Sequence, residues 1–167
     1  PISAGDINLS TSATASIFGE NTRDFAGYSI ADAGDINGDN YDDILIGAYG
    51  ENTGETDAGA TYLLYGPLYG DIDLSNADAK FTGIDFEEYS GNSVAGNGDF
   101  NGNGTPDILI GAYAEDTAAN DAGMAYLIHG SSTLSGTNSL STADTKFIGV
   151  NSGDFAGYSV EFVGDTN

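Results

Sequence analysis

The chain has 167 residues, of which 26 are acidic and three are basic, so its net charge at pH 7 is −23. This charge argues against nucleic acids and anionic membrane surfaces as partners, because three basic residues cannot neutralise a row of phosphates. Cations are the natural partners of such a chain. The sequence contains no cysteine, which excludes disulfides, thiolate chemistry and cysteine-type zinc sites.

The predicted elements follow an internal repeat with a period of 64 to 66 residues. Residues 44–49 return as residues 108–113, and residues 57–63 return as residues 121–127. A third copy begins at residues 156–160. Self-similarity at a fixed period is the sequence signature of a repeat architecture.

Each repeat contains four short apolar segments separated by turns rich in glycine, aspartate and asparagine, which predicts four β-strands. The Ile-Leu-Ile run of the second segment shows no alternation, which predicts burial on both faces. A loop of about a dozen residues separates the third strand from the fourth. The predicted strands of the first full repeat are residues 28–33, 43–49, 60–65 and 80–83.

Two smaller elements complete the predicted pattern. Residues 15–19 are predicted to form a stray outer strand that precedes the first repeat. A short helical turn is expected near residues 75–79 and in the copy of this segment at residues 141–145. A four-stranded sheet that is apolar on both faces must be covered by neighbours, and radial stacking of such sheets gives a β-propeller. The predicted fold class is therefore all-β, with β-propeller blades of four antiparallel strands.

Residues 25–30, 34–39 and 42–48 resemble the FG-GAP repeat of integrin α-subunit propellers and their bacterial relatives. The sequence departs from that pattern in two ways: one residue interrupts each Phe-Gly pair, with Tyr89 replacing Phe in the middle copy, and Gly-Ala-Tyr replaces Gly-Ala-Pro. These changes keep the aromatic and small-residue chemistry. The resemblance implies that the strand at residues 28–33 lies nearest the propeller axis and that residues 80–83 form the outermost strand of the blade.

The resemblance implies about two and a half blades of a seven-bladed ring. The expected units are an outer strand of a preceding blade plus a linker at 1–24, blade 1 at 25–83, blade 2 at 84–149, and the start of a third, truncated blade at 150–167. Seven blades at this period need about 450 residues. We therefore expect either a segment of a longer chain, which we favour, or copies that assemble through open blade edges.

Two loops place oxygen-bearing side chains at loop positions 1, 3, 5 and 9, immediately before an apolar strand. Calcium takes six to eight oxygen ligands, which alternate loop residues can supply. The predicted first site uses Asp35, Asn37, Asp39 and Asp43 with the carbonyl of Tyr41. The predicted second site uses Asp99, Asn101, Asn103 and Asp107 with the carbonyl of Thr105. Asp165 and Asn167 are predicted to begin a third, truncated site.

The predicted cofactor is therefore Ca²⁺, in two complete sites. Gly38 and Gly102 are expected to let the chain curl around the ion. The first site has three carboxylates and the second has two, which predicts tighter binding at the first. The ion is expected to be structural, since a buried carboxylate cluster repels itself without a cation. The alternative is that Asp and Asn form Asx turns without metal.

Catalysis finds little support in the sequence, so a non-enzymatic role is predicted. His129 stands where Tyr65 stands one repeat earlier, which predicts an ordinary strand residue. No Gly-x-Ser-x-Gly motif occurs, and Asp42 and Glu87 are predicted to be solvated. Five tyrosines are predicted to be core and blade-packing residues rather than a sugar-stacking platform: Tyr28, Tyr49, Tyr62, Tyr65 and Tyr126.

The predicted function is a calcium-binding propeller segment of an extracellular, secreted or cell-surface protein that mediates adhesion or protein assembly. The expected partners are calcium and either a protein partner or further copies or blades that complete the propeller. No membrane insertion is expected, because no apolar run approaches the roughly 20 residues that a spanning helix needs. The alternatives are an accessory propeller of a secreted enzyme and a lectin-like carbohydrate-binding propeller.

Overall fold

The computed structural model describes residues 13–163, in which short β-strands are the dominant element. Two 3₁₀ turns, Leu74–Asn76 and Leu140–Thr142, are the only helical segments in that span. The strands are β1 (Ala15–Phe18), β2 (Ser29–Gly34), β3 (Asp43–Ala48), β4 (Ala60–Leu64), β5 (Gly70–Asp73), β6 (Ala79–Thr82), β7 (Ser93–Gly98), β8 (Asp107–Ala112), β9 (Met124–Ile128), β10 (Gly136–Ser139) and β11 (Thr145–Ile148).

Each full repeat folds into a four-stranded antiparallel sheet, called blade 1 and blade 2 below. The strand order is β6-β4-β3-β2 in blade 1 and β11-β9-β8-β7 in blade 2. All neighbouring strands within these two sets are antiparallel. The predicted all-β fold and the four predicted strands of each repeat are confirmed, with ends that differ by a residue or two.

Both faces of the blades are buried, as the continuous apolar run of β3 predicts. On one face, Leu45 and Phe81 pack into a cluster shared with Ile108 and Tyr126 of blade 2. On the opposite face, Ile46 belongs to a second cluster, which β1 and β5 cover from the side of the preceding unit. Because both clusters combine residues from successive units, the apolar surface of one blade is buried by its neighbours.

The glycine after each Ile-Leu-Ile run has a steric reason. A Cβ atom on Gly47 would overlap the carbonyl oxygen of Gly91, and one on Gly111 would overlap that of Gly157. Gly91 lies in the turn that opens the next repeat, and its N–H donates to the carbonyl of Gly111 at 2.9 Å. The main chains of successive repeats therefore approach too closely for any side chain at these two positions.

Two strands were missed by the sequence pattern. The dozen residues expected to be loop contain β5 in the first repeat and β10 in the second. Each pairs in parallel with the outer strand of the preceding unit: β5 with β1, and β10 with β6. The loop prediction was wrong because these four-residue segments are mostly exposed and show no apolar alternation, so only the pairing with another unit defines them.

The predicted helical turns form as 3₁₀ turns that begin one residue earlier than expected. Each starts with a fully buried leucine, Leu74 or Leu140, directly after the added strand. The preceding residue, Asp73 or Ser139, accepts a hydrogen bond from the backbone N–H two residues later and so caps the turn. The leucine thereby fixes the end of a strand that pairs with the neighbouring unit.

The third repeat contributes only a short described segment. Residues 158–163 carry no strand, so the predicted opening strand of a third blade is not formed within the described span. They nevertheless run beside β7: the N–H of Val160 donates to the hydroxyl of Ser93 at 3.1 Å. Together with β2 and β7 they line a cleft of about 490 Å³.

Within residues 13–163, no helix is long and apolar enough to cross a membrane.

Candidate calcium loops, buried acidic clusters and aromatic face

The first candidate loop runs from the end of β2 to the start of β3, directly after an irregularity in their register. Asp35 at loop position 1 accepts hydrogen bonds from three backbone N–H groups, those of Gly38 at 2.7 Å, Asp39 at 3.0 Å and Asn40 at 2.8 Å. This carboxylate therefore gathers the loop backbone around itself. Gly38 has φ 80° and Asn40 has φ 72°, so the tight curl uses the left-handed region twice.

The side chains at positions 3 and 5 of this loop face each other. The amide nitrogen of Asn37 donates to Asp39 Oδ2 at 3.0 Å. The Oδ1 atom of Asn37 accepts from the N–H of Asp39 at 2.8 Å, and that of Asp39 accepts from the N–H of Tyr41 at 2.9 Å. These bonds from a residue to the backbone two positions later are Asx turns, which form with or without an ion.

The second loop, between β7 and β8, repeats this arrangement. Asp99 accepts from the N–H groups of Asn103 at 3.0 Å and Gly104 at 2.8 Å. Asn101 accepts from Asn103, and Asn103 accepts from Thr105, at 2.9 and 2.7 Å. Two sequences that differ at several positions thus give one loop geometry, which follows the spacing of the Asp and Asn residues.

The position-9 carboxylates are buried and hold the hairpin together. Asp43 accepts from the N–H of Ile36 inside the loop and from that of Gly66 beyond β4, both at 2.9 Å. Asp107 makes the equivalent bonds to the N–H groups of its own loop and of Gly130. Burial raises the pKa of Asp43 despite the hydrogen bonds that it accepts. These two residues therefore connect three segments of a blade.

The donor set of both loops consists of carboxylate and amide oxygens, which suits a hard cation such as calcium. The carboxylates of Asp35, Asp39 and Asp43 do not, however, share one tight cluster. In residues 13–163, the only three acidic side chains whose oxygens all lie within 4.8 Å of one another belong to a different group, described next. Asp165 and Asn167, predicted as the first ligands of a third loop, lie outside the described residues.

The tight acidic group consists of Glu20, Asp24 and Glu51, and the sequence pattern did not reveal it. Lys80 lies within it: its Nζ atom is 2.6 Å from Glu20 Oε2 and 3.1 Å from Glu51 Oε1. The hydroxyl of Thr53 accepts from the same Nζ atom at 2.9 Å. A lysine from β6 is therefore the cation of this cluster. The sequence did contain one sign of a buried cluster that needs a cation: Lys80 and Lys146, two of only three basic residues, occupy equivalent positions in the two repeats.

The effect of Lys80 is visible in the ionisation of its partner. Burial alone would raise the pKa of Glu51. The hydrogen bonds from Thr53 and Lys80 and the charge of Lys80 outweigh burial, so the pKa of Glu51 lies below its ordinary value. Glu51 is therefore charged at neutral pH, and the lysine is required to compensate it.

The equivalent cluster of blade 2 is compensated differently. Glu88 and Glu115 are fully buried, and the hydroxyl of Tyr126 is 3.4 Å from Glu88 Oε1. Lys146 lies 5.5 Å from the centroid of the Tyr126 ring and makes no ion pair within 4.0 Å among residues 13–163. Burial, with smaller effects from Glu115 and Asp85, raises the pKa of Glu88 to about 7.

A continuous aromatic surface, here called the aromatic face, lies at the other end of the β2–β3 and β7–β8 hairpins from the loops. Six ring contacts with centroid separations of 4.6 to 6.2 Å link its members across three successive repeats. Its exposed rings include Tyr28 and Tyr158, at 63% and 66% exposure. The face consists of Phe25, Tyr28, Tyr49, Tyr89, Tyr113, Phe155 and Tyr158.

The predicted packing role of the tyrosines is correct for some and wrong for others. Tyr62 and Tyr126 are fully buried in the blades, as predicted. Tyr28 is not a core residue, because it stands before β2 and its ring packs edge-on against Tyr49 at the open end of the hairpin. Tyr65 lies just past β4 and is half-buried, with its hydroxyl donating to the carbonyl of Leu134 at 2.7 Å.

His129 is equivalent to Tyr65, as predicted, but it lies one residue beyond β9 rather than within the strand. The N–H of His129 donates to Asp144 at 2.7 Å, and that of Tyr65 donates to Asp78 at 2.8 Å. Both residues therefore close the same turn. In the described part of the chain, the backbone hydrogen bond of His129 to Asp144 holds this turn together.

The sheets, their stacking and their loops define blades of a β-propeller. The FG-GAP repeat model matches residues 26–64 and 90–128. The chain therefore carries two FG-GAP repeats, and the resemblance seen in the sequence is confirmed.

The similar curated proteins are integrin α subunits. Residues of this chain are 36% identical to integrin alpha pat-2 of Caenorhabditis elegans over 95 residues, which is 56% of this chain and 8% of that protein. They are 34% identical to integrin alpha-5 of Xenopus laevis over 113 residues, which is 65% of this chain and 10% of that protein. The matched region thus spans about a tenth of these relatives.

Proposed function

We propose that this chain is a calcium-binding FG-GAP propeller segment of an extracellular or cell-surface protein, which mediates adhesion or protein assembly and is not itself an enzyme. The observation that carries the proposal is the pair of matching oxygen-lined loops, each at the same turn of an FG-GAP repeat. In the proposed protein, further blades complete a ring of about seven, the number that the FG-GAP resemblance implies.

The proposed ligands are those of the sequence pattern. Asp35, Asn37, Asp39, Asp43 and the Tyr41 carbonyl would hold one Ca²⁺, and Asp99, Asn101, Asn103, Asp107 and the Thr105 carbonyl would hold the other. The ion would neutralise carboxylates that otherwise repel one another, and so stabilise the turn between the two inner strands of each blade. Since Asp43 and Asp107 also bond to backbone beyond the third strand, calcium binding and hairpin stability are coupled in this proposal.

The charge of the two loops provides a direct test. Asp39→Asn reduces the first loop to two carboxylates, and we expect its calcium affinity to fall about tenfold, while Asn103→Asp should strengthen the second loop by a similar factor. The measurement is calorimetric titration of calcium into chelator-treated protein. The calcium-induced rise in melting temperature should change in the same order.

The matched control for this test is Asp42→Asn. It removes the same charge from an exposed residue of the same loop that is outside the proposed ligand set. We expect its affinity to change less than about twofold, which screening of a surface charge allows. Equal losses for Asp39→Asn and Asp42→Asn would contradict the ligand assignment, and absence of any heat of binding would contradict calcium binding itself.

The aromatic face supports the second part of the proposal, a protein partner. Contiguous exposed aromatic surface marks interaction sites, and tyrosine in particular is enriched at protein interfaces. The rings surround a pocket of about 190 Å³ lined by Tyr28, Tyr49, Asn92, Tyr113 and Tyr158. The partners proposed for this chain, by analogy with subunits of adhesion receptors, would dock at this end of the blades, away from the calcium loops.

This docking proposal is tested with the variant Tyr28→Ser/Tyr158→Ser as bait. Because both rings are exposed, we expect the melting temperature to change little, while capture of biotin-labelled surface proteins from the producing cells is lost. Tyr69→Ser is the control, since Tyr69 is equally exposed but outside the aromatic face. Equal capture by both variants would contradict docking at this face, and selective binding of a glycan array would favour the lectin-like alternative.

A further inference from the structure

Asparagine followed by glycine occurs three times in the two candidate calcium loops. The pair at residues 37–38 begins at position 3 of the first loop, and the pair at 101–102 begins at position 3 of the second. The pair at 103–104 begins at position 5 of the second loop, and a fourth pair, at 97–98, ends β7. Glycine has no Cβ atom to shield its backbone nitrogen, so this nitrogen can reach the side chain before it.

The reaction open to such a pair requires only water. The glycine nitrogen attacks the Cγ atom of the asparagine and forms a C–N bond, and the side-chain nitrogen leaves as ammonia with the proton from the glycine N–H. Water then adds to one of the two carbonyls of the resulting cyclic imide and opens the ring. One product is aspartate, and the other is isoaspartate, in which the main chain continues through the side-chain carboxyl carbon. Each product therefore replaces a neutral amide by a carboxylate.

The geometry of the second loop favours this attack at Asn101. Its Oδ1 atom accepts a hydrogen bond from the N–H of Asn103 at 2.9 Å, in an Asx turn that folds the side chain over the following peptide. The attack puts negative charge on this oxygen, where the same N–H stabilises it. The N–H of Gly102 donates no hydrogen bond within residues 13–163, so the nucleophile is unrestrained. Asn101 and Gly102 are both exposed, which gives water access to the reacting atoms.

In the first loop the nucleophile is held. Asn37 forms the same Asx turn, but the N–H of Gly38 donates to Asp35 Oδ1 at 2.7 Å. The acceptor is a carboxylate, and hydrogen bonds to charged groups are about twice as strong as those between neutral groups. The glycine peptide must give up this bond before its nitrogen can face the asparagine side chain. Asn37 is also half-buried, which limits the access of water.

The remaining two pairs are restrained as well. The N–H of Gly104 donates to Asp99 Oδ2 at 2.8 Å, as that of Gly38 does to Asp35. The amide nitrogen of Asn97 donates to Asp32 Oδ2 at 2.8 Å, which ties that side chain to blade 1. Of the four Asn-Gly pairs, the one at 101–102 is therefore the least restrained.

We propose that Asn101 is a site of spontaneous modification, at which the chain converts its own asparagine to aspartate and isoaspartate while the other Asn-Gly pairs are preserved. The two products have opposite effects on the second loop. Aspartate adds a third carboxylate at position 3 and so gives this loop the charge of the first. Isoaspartate adds a main-chain carbon and breaks the spacing of positions 1, 3, 5 and 9. These effects on calcium rest on the proposed function, whereas the modification itself does not.

The test compares the two pairs that begin at position 3 in the same molecules. The protein is incubated with a chelator at a temperature where thermal melts show that it is folded, and then digested with chymotrypsin. Cleavage after Tyr41 and Phe100 places the two asparagines in separate peptides. Mass spectrometry measures the gain in mass when –NH₂ becomes –OH. We expect Asn101 to be converted about tenfold faster than Asn37, and the two rates to become equal in urea, where the hydrogen bond of Gly38 is lost.

Equal rates in the folded protein, or faster conversion of Asn37, would overturn the proposal. A tenfold ratio that persists in urea would overturn it too, because the neighbouring residues rather than the fold would then set the rates. The variant Asp35→Ala frees the N–H of Gly38, and we expect the conversion of Asn37 to come within about twofold of that of Asn101.

The consequence for calcium is measured separately, by calorimetric titration of Asn101→Asp. We expect its second loop to bind calcium about tenfold more tightly than that of the unmodified chain. Unchanged affinity, in a protein whose Asn101 is shown to convert, would contradict calcium binding at this loop and leave the modification standing. Calcium binding without conversion of Asn101 would have the opposite meaning.

Discussion

Replacing Lys80 with methionine is expected to lower the free energy of unfolding by about 3–5 kcal/mol, the usual cost of removing one partner from a buried ion pair. Glu51 is almost fully buried and lies 3.1 Å from the lysine Nζ atom. Without that cation, Glu51 and Glu20 would face each other and Asp24 as uncompensated charges. Methionine keeps most of the apolar stem of lysine, so the loss reports on charge rather than on packing.

Lys146→Met is the matched control, because Lys146 occupies the same position one repeat later and makes no ion pair among residues 13–163. We expect it to cost less than about 1 kcal/mol. Both values come from urea unfolding followed by circular dichroism at saturating calcium. Equal losses for the two variants would contradict a charge-compensating role for Lys80. Adding Glu51→Gln to Lys80→Met should recover part of the stability, because it removes the stranded charge.

Between pH 5 and pH 8, the free energy of unfolding of the unmodified chain is expected to fall by about 2–3 kcal/mol more than that of Glu88→Gln. Burial raises the pKa of Glu88 to about 7 from an ordinary value of 4.5. Below pH 4.5 the folded and unfolded states both hold the proton. Between pH 4.5 and about pH 7, only the folded state holds the proton on Glu88. The free energy of unfolding therefore falls as pH rises through this range, and the loss is complete above the folded-state pKa.

The surroundings of Glu88 explain the direction of this effect. Glu115 and Asp85 add negative charge, the Tyr126 hydroxyl contacts one carboxylate oxygen, and Lys146 stays on the ring of that tyrosine. The matched control is Asp154→Asn, at the equivalent position of the third repeat, where the residue is exposed and backbone hydrogen bonds from Asn151 and Val150 lower its pKa. The control should retain the pH dependence of the unmodified chain. If the free energy of unfolding of Glu88→Gln fell between pH 5 and pH 8 as steeply as that of the unmodified chain, Glu88 would be charged throughout this pH range, and the prediction would be wrong.

The two acidic clusters occupy equivalent positions in successive repeats, but their negative charge is compensated in different ways. In the first, lysine compensates two glutamates, and in the second a glutamate holds a proton near neutral pH. Glu20 of the first cluster is replaced by Ile84 in the second. With one fewer carboxylate and no direct ion pair, the second cluster lowers its charge by protonation, which is the cheaper solution for a buried carboxyl group without a cation.

The sequence by itself determined the repeat, the four strands of each blade and the two oxygen-lined loops. These features depend on local signals: an unbroken Ile-Leu-Ile run makes a strand buried on both faces, and Asp and Asn at alternate positions bond to backbone two to five residues away. The resemblance to FG-GAP repeats also rests on contiguous motifs. Such patterns are readable because the residues that interact lie close together along the chain.

The tertiary structure alone decided three further features. The parallel pairing of β10 with β6 joins a mostly exposed segment to a buried strand more than fifty positions earlier, and no apolar pattern in β10 indicates it. Lys80 meets Glu20 across sixty residues, which a charge count cannot indicate. Tyr28, predicted to be a core residue, is instead a member of the aromatic face together with Tyr158, because successive repeats align their turns at the same end of the blades. In each case the deciding contact is between units, where stacking of the blades, rather than local sequence, sets which groups meet.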